Sequence, residues 1–175
     1  MRICLFGGPG SSKSTTAAYL FAKFKRSNCN IELVSEYIKE WTYIDRKPTS
    51  YDQCYVQMSQ LHREDQVIKA GFDHLITDSP LFLGNFYSIY YNGPCKDELL
   101  NIAKSFDRDF PSINIFLDRG DKPYNKVGRF QTYEEALEID RQMKEFLKKT
   151  CKIKFITFKT NEYKNIYQYV KEKLK

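Results

Sequence analysis

The sequence predicts an α/β fold in which a five-stranded parallel β-sheet is covered by helices on both faces. Short apolar runs recur five times along the 175 residues, stretches with helical spacing separate them, and polar or glycine residues follow most of the runs. Parallel strands need long crossover connections and bury both of their faces, which favours this alternation of strands and helices.

The first half of the chain opens with a short apolar run over residues 3–6, which predicts a buried strand ending at a glycine pair. A helix is predicted over residues 14–26, where Ala17, Leu20 and Phe24 recur at helical spacing. The next predicted elements are a strand over residues 31–34, a long helix over residues 51–69 and a strand over residues 74–77.

The second half of the chain continues the alternation. Helices are predicted over residues 82–91 and 96–109, and the turn-forming residues Asn92-Gly93-Pro94 separate them. The last predicted elements are a fourth strand over residues 113–117, a polar segment over 118–131, a helix over 132–149, a fifth strand over 153–158 and a helix over 163–174. Because no repeat or linker interrupts this order, we expect one domain over residues 1–175.

Composition narrows the class of protein. The net charge of +6 suits an anionic ligand such as a nucleotide or nucleic acid, although a generic basic surface would give the same value. The five cysteines form no CxxC pair, which favours a reducing compartment. No apolar run is long enough for a signal peptide or a spanning helix, so we expect a soluble cytoplasmic protein without a membrane partner.

A glycine-rich motif follows the first predicted strand. Gly7, Lys13 and Ser14 match the pattern GxxxxGK[ST], in which backbone N–H groups surround the β-phosphate of a nucleotide at a helix N-terminus. Lys13 is then expected to reach the β- and γ-phosphates of ATP, and the Ser14 hydroxyl to ligate Mg²⁺. The residues predicted to bind the nucleotide are Gly8, Pro9, Gly10, Ser11, Ser12, Lys13, Ser14 and Thr15. The alternative is a glycine-rich turn with a chance lysine.

Ser12 is the one departure from this motif, because the pattern has glycine at that position. If the position requires a positive φ, serine has a steric cost that glycine lacks. We therefore expect retained nucleotide binding with slower turnover.

Carboxylates follow three of the predicted strands. Asp78 ends the third strand, where it is expected to hold Mg²⁺; the alternative is a helix N-cap. Glu36 follows the second strand and is a candidate for accepting the proton of an acceptor hydroxyl, with a solvent-facing residue as the alternative. Asp118 ends the fourth strand and is expected to pair with Arg119 or Lys122 rather than with a ligand.

A basic segment over residues 118–131 has glycines near both ends and is predicted to act as a lid. Arginines delivered by a closing segment can stabilise the charge that develops during phosphoryl transfer. Arg119 and Arg129 are the predicted catalytic arginines, and Arg141 is a weaker candidate. The alternative is an ordinary solvated loop.

The chain resembles small P-loop kinases of the nucleoside and nucleotide kinase group. It resembles most the phage-encoded ATP-binding proteins related to the nicotinamide riboside kinase domain. The resembling segments are GGPGSSKST, VSEY at residues 34–37, TDSP at 77–80, DKPYNKVGRFQT at 121–132 and EID at 138–140. The resemblance implies a three-layer fold with strand order 2-3-1-4-5 and a lid before the helix that leads to strand five. Some related phage kinases phosphorylate hydroxymethyluracil within DNA.

Three functions remain as hypotheses. The first is a kinase for a free nucleoside, nucleotide or nicotinamide riboside-like acceptor, because a lid and Glu36 suit enclosed chemistry. The second is a DNA kinase, whose open cleft would need aromatic and basic side chains. Candidates for that cleft are Trp41, Tyr43, Arg46 and Lys47; the alternatives are that they cover the core or bind a free base by stacking. The third is a nucleotide-dependent switch or ATPase without an acceptor, which Ser12 favours and which the arginine lid together with Glu36 disfavours.

Overall fold

The computed structural model describes residues 1–120, 124–125 and 130–174. Five parallel strands form one sheet in the order β2-β3-β1-β4-β5. The strands are β1 (Arg2–Phe6), β2 (Ile31–Val34), β3 (His74–Thr77), β4 (Ser112–Asp118) and β5 (Ile156–Lys159). The predicted parallel sheet and the strand order implied by the resemblance are confirmed.

Helices occupy the connections between the strands. They are α1 (Lys13–Arg26), α2 (Lys39–Tyr43), α3 (Asp52–Lys69), α4 (Leu81–Tyr90), α5 (Lys96–Asp109), α6 (Tyr133–Phe146), a π-helical turn (Leu147–Cys151) and α7 (Tyr163–Lys173). The sequence did not predict α2, because five residues are too few to show helical periodicity.

The largest difference from the prediction lies before β5. The helix predicted over residues 132–149 gives way to the π-helical turn, and the strand predicted from residue 153 begins at Ile156. Ile153 and Phe155 instead pack against the core from the connection. Their apolar character therefore reports burial and not strand pairing.

The alternating side chains of β1 divide the core into two layers. Cys4 and Phe6 belong to a cluster with α4, α5 and α6 on one face of the sheet. Ile3 and Leu5 belong to a second cluster, on the opposite face, with α1 and α7. Because successive side chains of a strand point to opposite faces, β1 is covered on both sides and its carboxyl end is held at the centre of the sheet.

The helices bury one side and expose the other. In α6, Ala136, Ile139 and Met143 are buried, whereas Glu134 and Glu135 are exposed.

Across the described residues, no helix combines the length and the apolar character needed to cross a membrane.

Candidate active site

The glycine-rich loop over residues 7–12 connects β1 to α1. Gly7 has φ 141° and Gly10 has φ 81°, a region in which side chains are strained. A Cβ on Gly7 would also lie 2.9 Å from the Leu117 carbonyl oxygen of β4, so only glycine fits there. The chain therefore follows the strand, loop and helix path that the motif requires.

Ser12 also has a positive φ, at 60°, and it precedes the first residue of α1. This is the left-handed conformation in which a Cβ costs roughly 1–2 kcal/mol. The condition stated for Ser12 from the sequence is thus met, and the serine is a strained replacement for glycine.

Replacing Ser12 with glycine is therefore expected to maintain or raise the rate of phosphoryl transfer, because glycine adopts this conformation without a steric cost. Steady-state kinetics with ATP would measure the effect. Ser12→Ala is the matched control, since it keeps the Cβ and removes only the hydroxyl. A large loss of rate in both variants would instead assign a role to the hydroxyl group.

Lys13 lies at the centre of a cluster of charged groups. Its Nζ donates to the carbonyl oxygens of Gly7 (2.7 Å) and Gly8 (3.1 Å). Burial lowers the pKa of Lys13, and the negative charges of Glu36, Asp78 and Asp140 act in the opposite direction. Three carboxylates therefore lie close enough to Lys13 to affect its ionisation.

Glu36 and Asp78 reach Lys13 from neighbouring strands. Val34 of β2 pairs with Thr77 of β3, so the residues that follow both strands meet at the carboxyl edge of the sheet. Burial raises the pKa of Glu36; Lys13 opposes this rise, and the nearby charge of Asp78 adds to it. The structure thus brings together two of the carboxylates selected from the sequence.

Asp78 is almost completely buried, with 3% of its surface exposed. Its Oδ1 atom has no hydrogen-bond partner among the described residues. The first residue before α4 is Pro80, and no side chain caps this helix. The alternative that Asp78 or Ser79 serves as a helix N-cap is therefore wrong.

Gln60 of α3 connects the two carboxylate-bearing segments. Its Oε1 accepts a hydrogen bond from the Tyr37 backbone N–H at 3.0 Å, next to Glu36. Its Nε2 donates to the Thr77 hydroxyl at 3.4 Å, and the same hydroxyl accepts from the Ser79 N–H at 3.2 Å. One buried glutamine therefore positions the residues beside both carboxylates.

Arg119 follows β4 and is buried, with 4% of its surface exposed. Its Nε donates to Asp140 Oδ2 at 2.6 Å, and its Nη2 donates to the Ala136 carbonyl oxygen at 3.2 Å. Asp118 instead accepts from Lys144 Nζ at 2.9 Å and from the Gly120 N–H at 3.1 Å. The expected pairing of Asp118 with Arg119 is therefore wrong.

The other basic residues selected from the sequence are Lys122, Arg129 and Arg141. Arg129 and Lys122 lie outside the described residues. Arg141 forms an exposed ion pair with Glu138 on the surface of α6. The lid assignment for residues 118–131 and the catalytic assignment of Arg119 and Arg129 remain predictions.

Asp140 was not selected as a site residue from the sequence. Its Oδ1 accepts a hydrogen bond from the Gly8 N–H at 2.5 Å, while its Oδ2 binds Arg119. A carboxylate on the second turn of a helix resembles many solvent-facing residues in a sequence. It reaches the glycine-rich loop because α6 packs into the same core cluster as Phe6 of β1 and Phe116 of β4.

A cavity of about 870 Å³ adjoins the glycine-rich loop on the side of β5. Its lining combines the end of the loop and the start of α1 with the ends of β4 and β5. The lining residues are Ser12, Thr15, Thr16, Tyr19, Arg119, Gly120, Lys159, Thr160, Asn161 and Tyr163. The cavity is large enough to hold a small ligand such as a nucleoside.

A second group of aromatic side chains lies on the Glu36 side of the loop. Burial raises the pKa of Tyr87 well above its usual range, and the charge of Glu36 is the next largest cause. The rings of Tyr87 and Tyr91 stack with centroids 6.1 Å apart and an interplanar angle of 13°. The charge of Glu36 therefore reaches the phenol of Tyr87.

Comparisons with known proteins place the chain as follows. The profile of a family described as the AAA domain matches residues 2–165. No curated protein matches the sequence. Among solved structures, deoxyadenosine kinase from M. mycoides with bound dATP is similar, with 18% identity, a TM-score of 0.52 and 99% of each chain covered. At this identity the likeness shows the fold, an α/β arrangement of the P-loop kinase type.

Proposed function

We propose that the chain, which belongs to the AAA domain family, is a kinase that transfers the γ-phosphate of ATP to a hydroxyl group of a nucleoside-like acceptor. Lys13 would bind the β- and γ-phosphates, and Glu36 would accept the proton of the attacking hydroxyl. The fold shared with deoxyadenosine kinase is compatible with this reaction.

The position of Glu36 is the observation that supports transfer to an acceptor most strongly. Glu36 is close enough to Lys13 and Asp78 for their charges to affect its pKa, and burial raises that pKa. A general base is most effective when its pKa approaches the working pH. A nucleotide switch needs a group that holds Mg²⁺, but it has no need of a second carboxylate with a raised pKa.

Asp78 and Ser14 would hold the magnesium ion of Mg·ATP. The buried Oδ1 of Asp78 has no hydrogen-bond partner among the described residues, as expected for an atom that binds a hydrated cation. The part of the chain that the structure describes contains no cluster of three or more acidic, histidine or cysteine ligands. When bound, the ion would neutralise charge on the phosphate oxygens.

The surroundings of Glu36 support a nucleoside-like acceptor. The charge of Glu36 affects the pKa of the Tyr87 phenol, and the ring of Tyr87 is stacked with that of Tyr91. Aromatic faces bind planar bases, and polar groups beside them select hydroxyl-bearing ligands. The cavity on the other side of the loop would then accommodate the donor nucleotide.

DNA is a second candidate acceptor. Tyr43, at the end of α2, and Tyr51, before α3, expose 68% and 62% of their surfaces, and single-stranded nucleic acids stack on exposed aromatic rings. Trp41, however, is buried, and the Arg46 guanidinium lies 3.6 Å from the centroid of its ring. The predicted aromatic wall therefore lacks its largest member.

The proposed function is tested by incubating the protein with γ-labelled ATP and Mg²⁺. The acceptors are pooled nucleosides, nucleotides, nicotinamide riboside and duplex DNA that contains hydroxymethylpyrimidine. We expect the label in a small nucleoside-like product. Label in DNA would support the alternative acceptor, and label released only as free phosphate would support an ATPase without an acceptor.

A further inference from the structure

The carboxylate of Asp140 connects the glycine-rich loop to the arginine that lines the nucleotide cavity. Its two oxygens accept hydrogen bonds from different parts of the chain, the Gly8 N–H at 2.5 Å and Arg119 Nε at 2.6 Å. The ion pair with Arg119 is largely shielded from water, since the side chain of Asp140 exposes 13% of its surface and that of Arg119 exposes 4%. Charge-assisted bonds of this kind restrict the orientation of both partners.

The contact with Asp140 requires glycine at position 8 of the loop. A Cβ on Gly8 would lie 2.7 Å from Asp140 Oδ1 and 3.1 Å from Arg119 Nη2. Any larger residue at position 8 would therefore displace the carboxylate or the guanidinium. Glycine at this position permits Asp140 to approach the backbone closely.

Arg119 is oriented by three contacts. Asp140 binds its Nε, the Ala136 carbonyl oxygen binds its Nη2, and its own carbonyl oxygen accepts from the Thr160 hydroxyl at 3.3 Å. A guanidinium group has five N–H donors, and the contacts with the described residues use two of them, that of Nε and one of Nη2. Arg119 nevertheless lines the cavity, together with Lys159 and Thr160.

The geometry points to Asp140 as a positioning residue of the donor site, which directs Arg119 toward the nucleoside part of the donor nucleotide. The second oxygen of Asp140 holds Gly8, so the phosphate-binding loop and the cavity keep a fixed relation to each other. This inference rests on the proposed function only in taking ATP as the donor.

The two contacts of Asp140 are separated by two substitutions. In Asp140→Asn, the amide oxygen still accepts from the Gly8 N–H, but the NH₂ group faces the guanidinium and two donors oppose each other. In Asp140→Ala, both contacts are lost. The first variant thus disturbs Arg119 alone, and the second disturbs Arg119 and the loop.

Calorimetric titration with Mg·ATP and with magnesium tripolyphosphate tests the inference, because tripolyphosphate lacks the nucleoside. For Asp140→Asn we expect the Kd of ATP to rise about tenfold and that of tripolyphosphate to change less than about twofold. For Asp140→Ala we expect both Kd values to rise. Arg119→Ala should reproduce the effect of Asp140→Asn. The variant that combines Arg119→Ala with Asp140→Asn should bind ATP no more weakly than either single variant.

Glu145→Gln is the matched control, because it removes an exposed carboxylate of α6 that pairs with Lys149. Its Kd values are expected to equal those of the unchanged protein. Unaltered ATP binding in a folded Asp140→Asn variant would overturn the inference, as would equal weakening of both ligands. Because binding is measured without transfer, failure to find an acceptor would contradict the proposed function and leave this result intact.

Discussion

Replacing Lys13 with alanine is expected to lower the rate of phosphoryl transfer by at least about 10²–10³-fold, the range observed when a preorganised charge-stabilising donor is removed. The ammonium group lies among Glu36, Asp78 and Asp140, and its hydrogen bonds go only to the carbonyl oxygens of the loop among the described residues. Its loss therefore removes a positive charge from the proposed phosphate site. Single-turnover kinetics with labelled ATP would measure the change.

The fold of the Lys13→Ala variant is expected to remain intact, because Lys13 contributes nothing to either apolar cluster. Circular dichroism and thermal unfolding would verify this. Arg26→Ala is the matched control: it removes one positive charge from the last turn of the same helix, and its turnover should be unchanged. Normal turnover in Lys13→Ala would eliminate the glycine-rich loop as the phosphate site.

The second large effect is expected for Glu36→Gln, which keeps the size of the side chain but removes the proton acceptor. Turnover should fall by roughly 10²–10⁴-fold, whereas the Kd of Mg·ATP should stay nearly unchanged. Measuring kcat together with Kd separates a role in chemistry from a role in binding. A change in acceptor affinity alone would make Glu36 a binding residue.

The pH dependence of turnover provides a further measure of Glu36. Protonated Glu36 cannot accept a proton, so turnover should fall as the pH drops through the pKa of this group. Because burial raises that pKa, the fall should begin at a higher pH than for an exposed glutamate. The acidic limb of the profile should be absent in Glu36→Gln.

Asp78→Asn is the contrasting variant, since it alters the neighbouring carboxylate. If Asp78 holds the metal, this variant should need more Mg²⁺ for half-maximal rate. A magnesium titration of both variants distinguishes the two roles. Loss of turnover in Asp78→Asn at saturating Mg²⁺, combined with only weaker acceptor binding in Glu36→Gln, would exchange the assignments.

Much of the fold was predictable because local sequence patterns indicate most of its strands and helices. The apolar run before Gly7 and the helical spacing of Ala17, Leu20 and Phe24 placed β1 and α1 within a residue or two of their observed ends. The start of β5 was missed because Ile153 and Phe155 are apolar for packing reasons. Periodicity alone does not distinguish a buried connection from a strand.

The site residues that directly follow strands could be predicted from the sequence. Those that lie within helices could not. Glu36 and Asp78 follow neighbouring strands, so their meeting at one edge of the sheet was expected. Gln60 and Asp140 reach the same region from the middle of α3 and α6. Their roles depend on tertiary packing; Gln60 lies in no segment that carries the resemblance, and Asp140 lies in EID, which indicated no role for it.

The two hydrogen bonds of Gln60 have a consequence for how the ligands influence each other. The segment after β2 and the end of β3 are hydrogen-bonded to one side chain, so a displacement of the first would be transmitted to the second through Gln60. Acceptor and magnesium would then bind with a thermodynamic linkage. By reciprocity, any factor by which the acceptor tightens the binding of Mg²⁺ is also the factor by which Mg²⁺ tightens the binding of the acceptor.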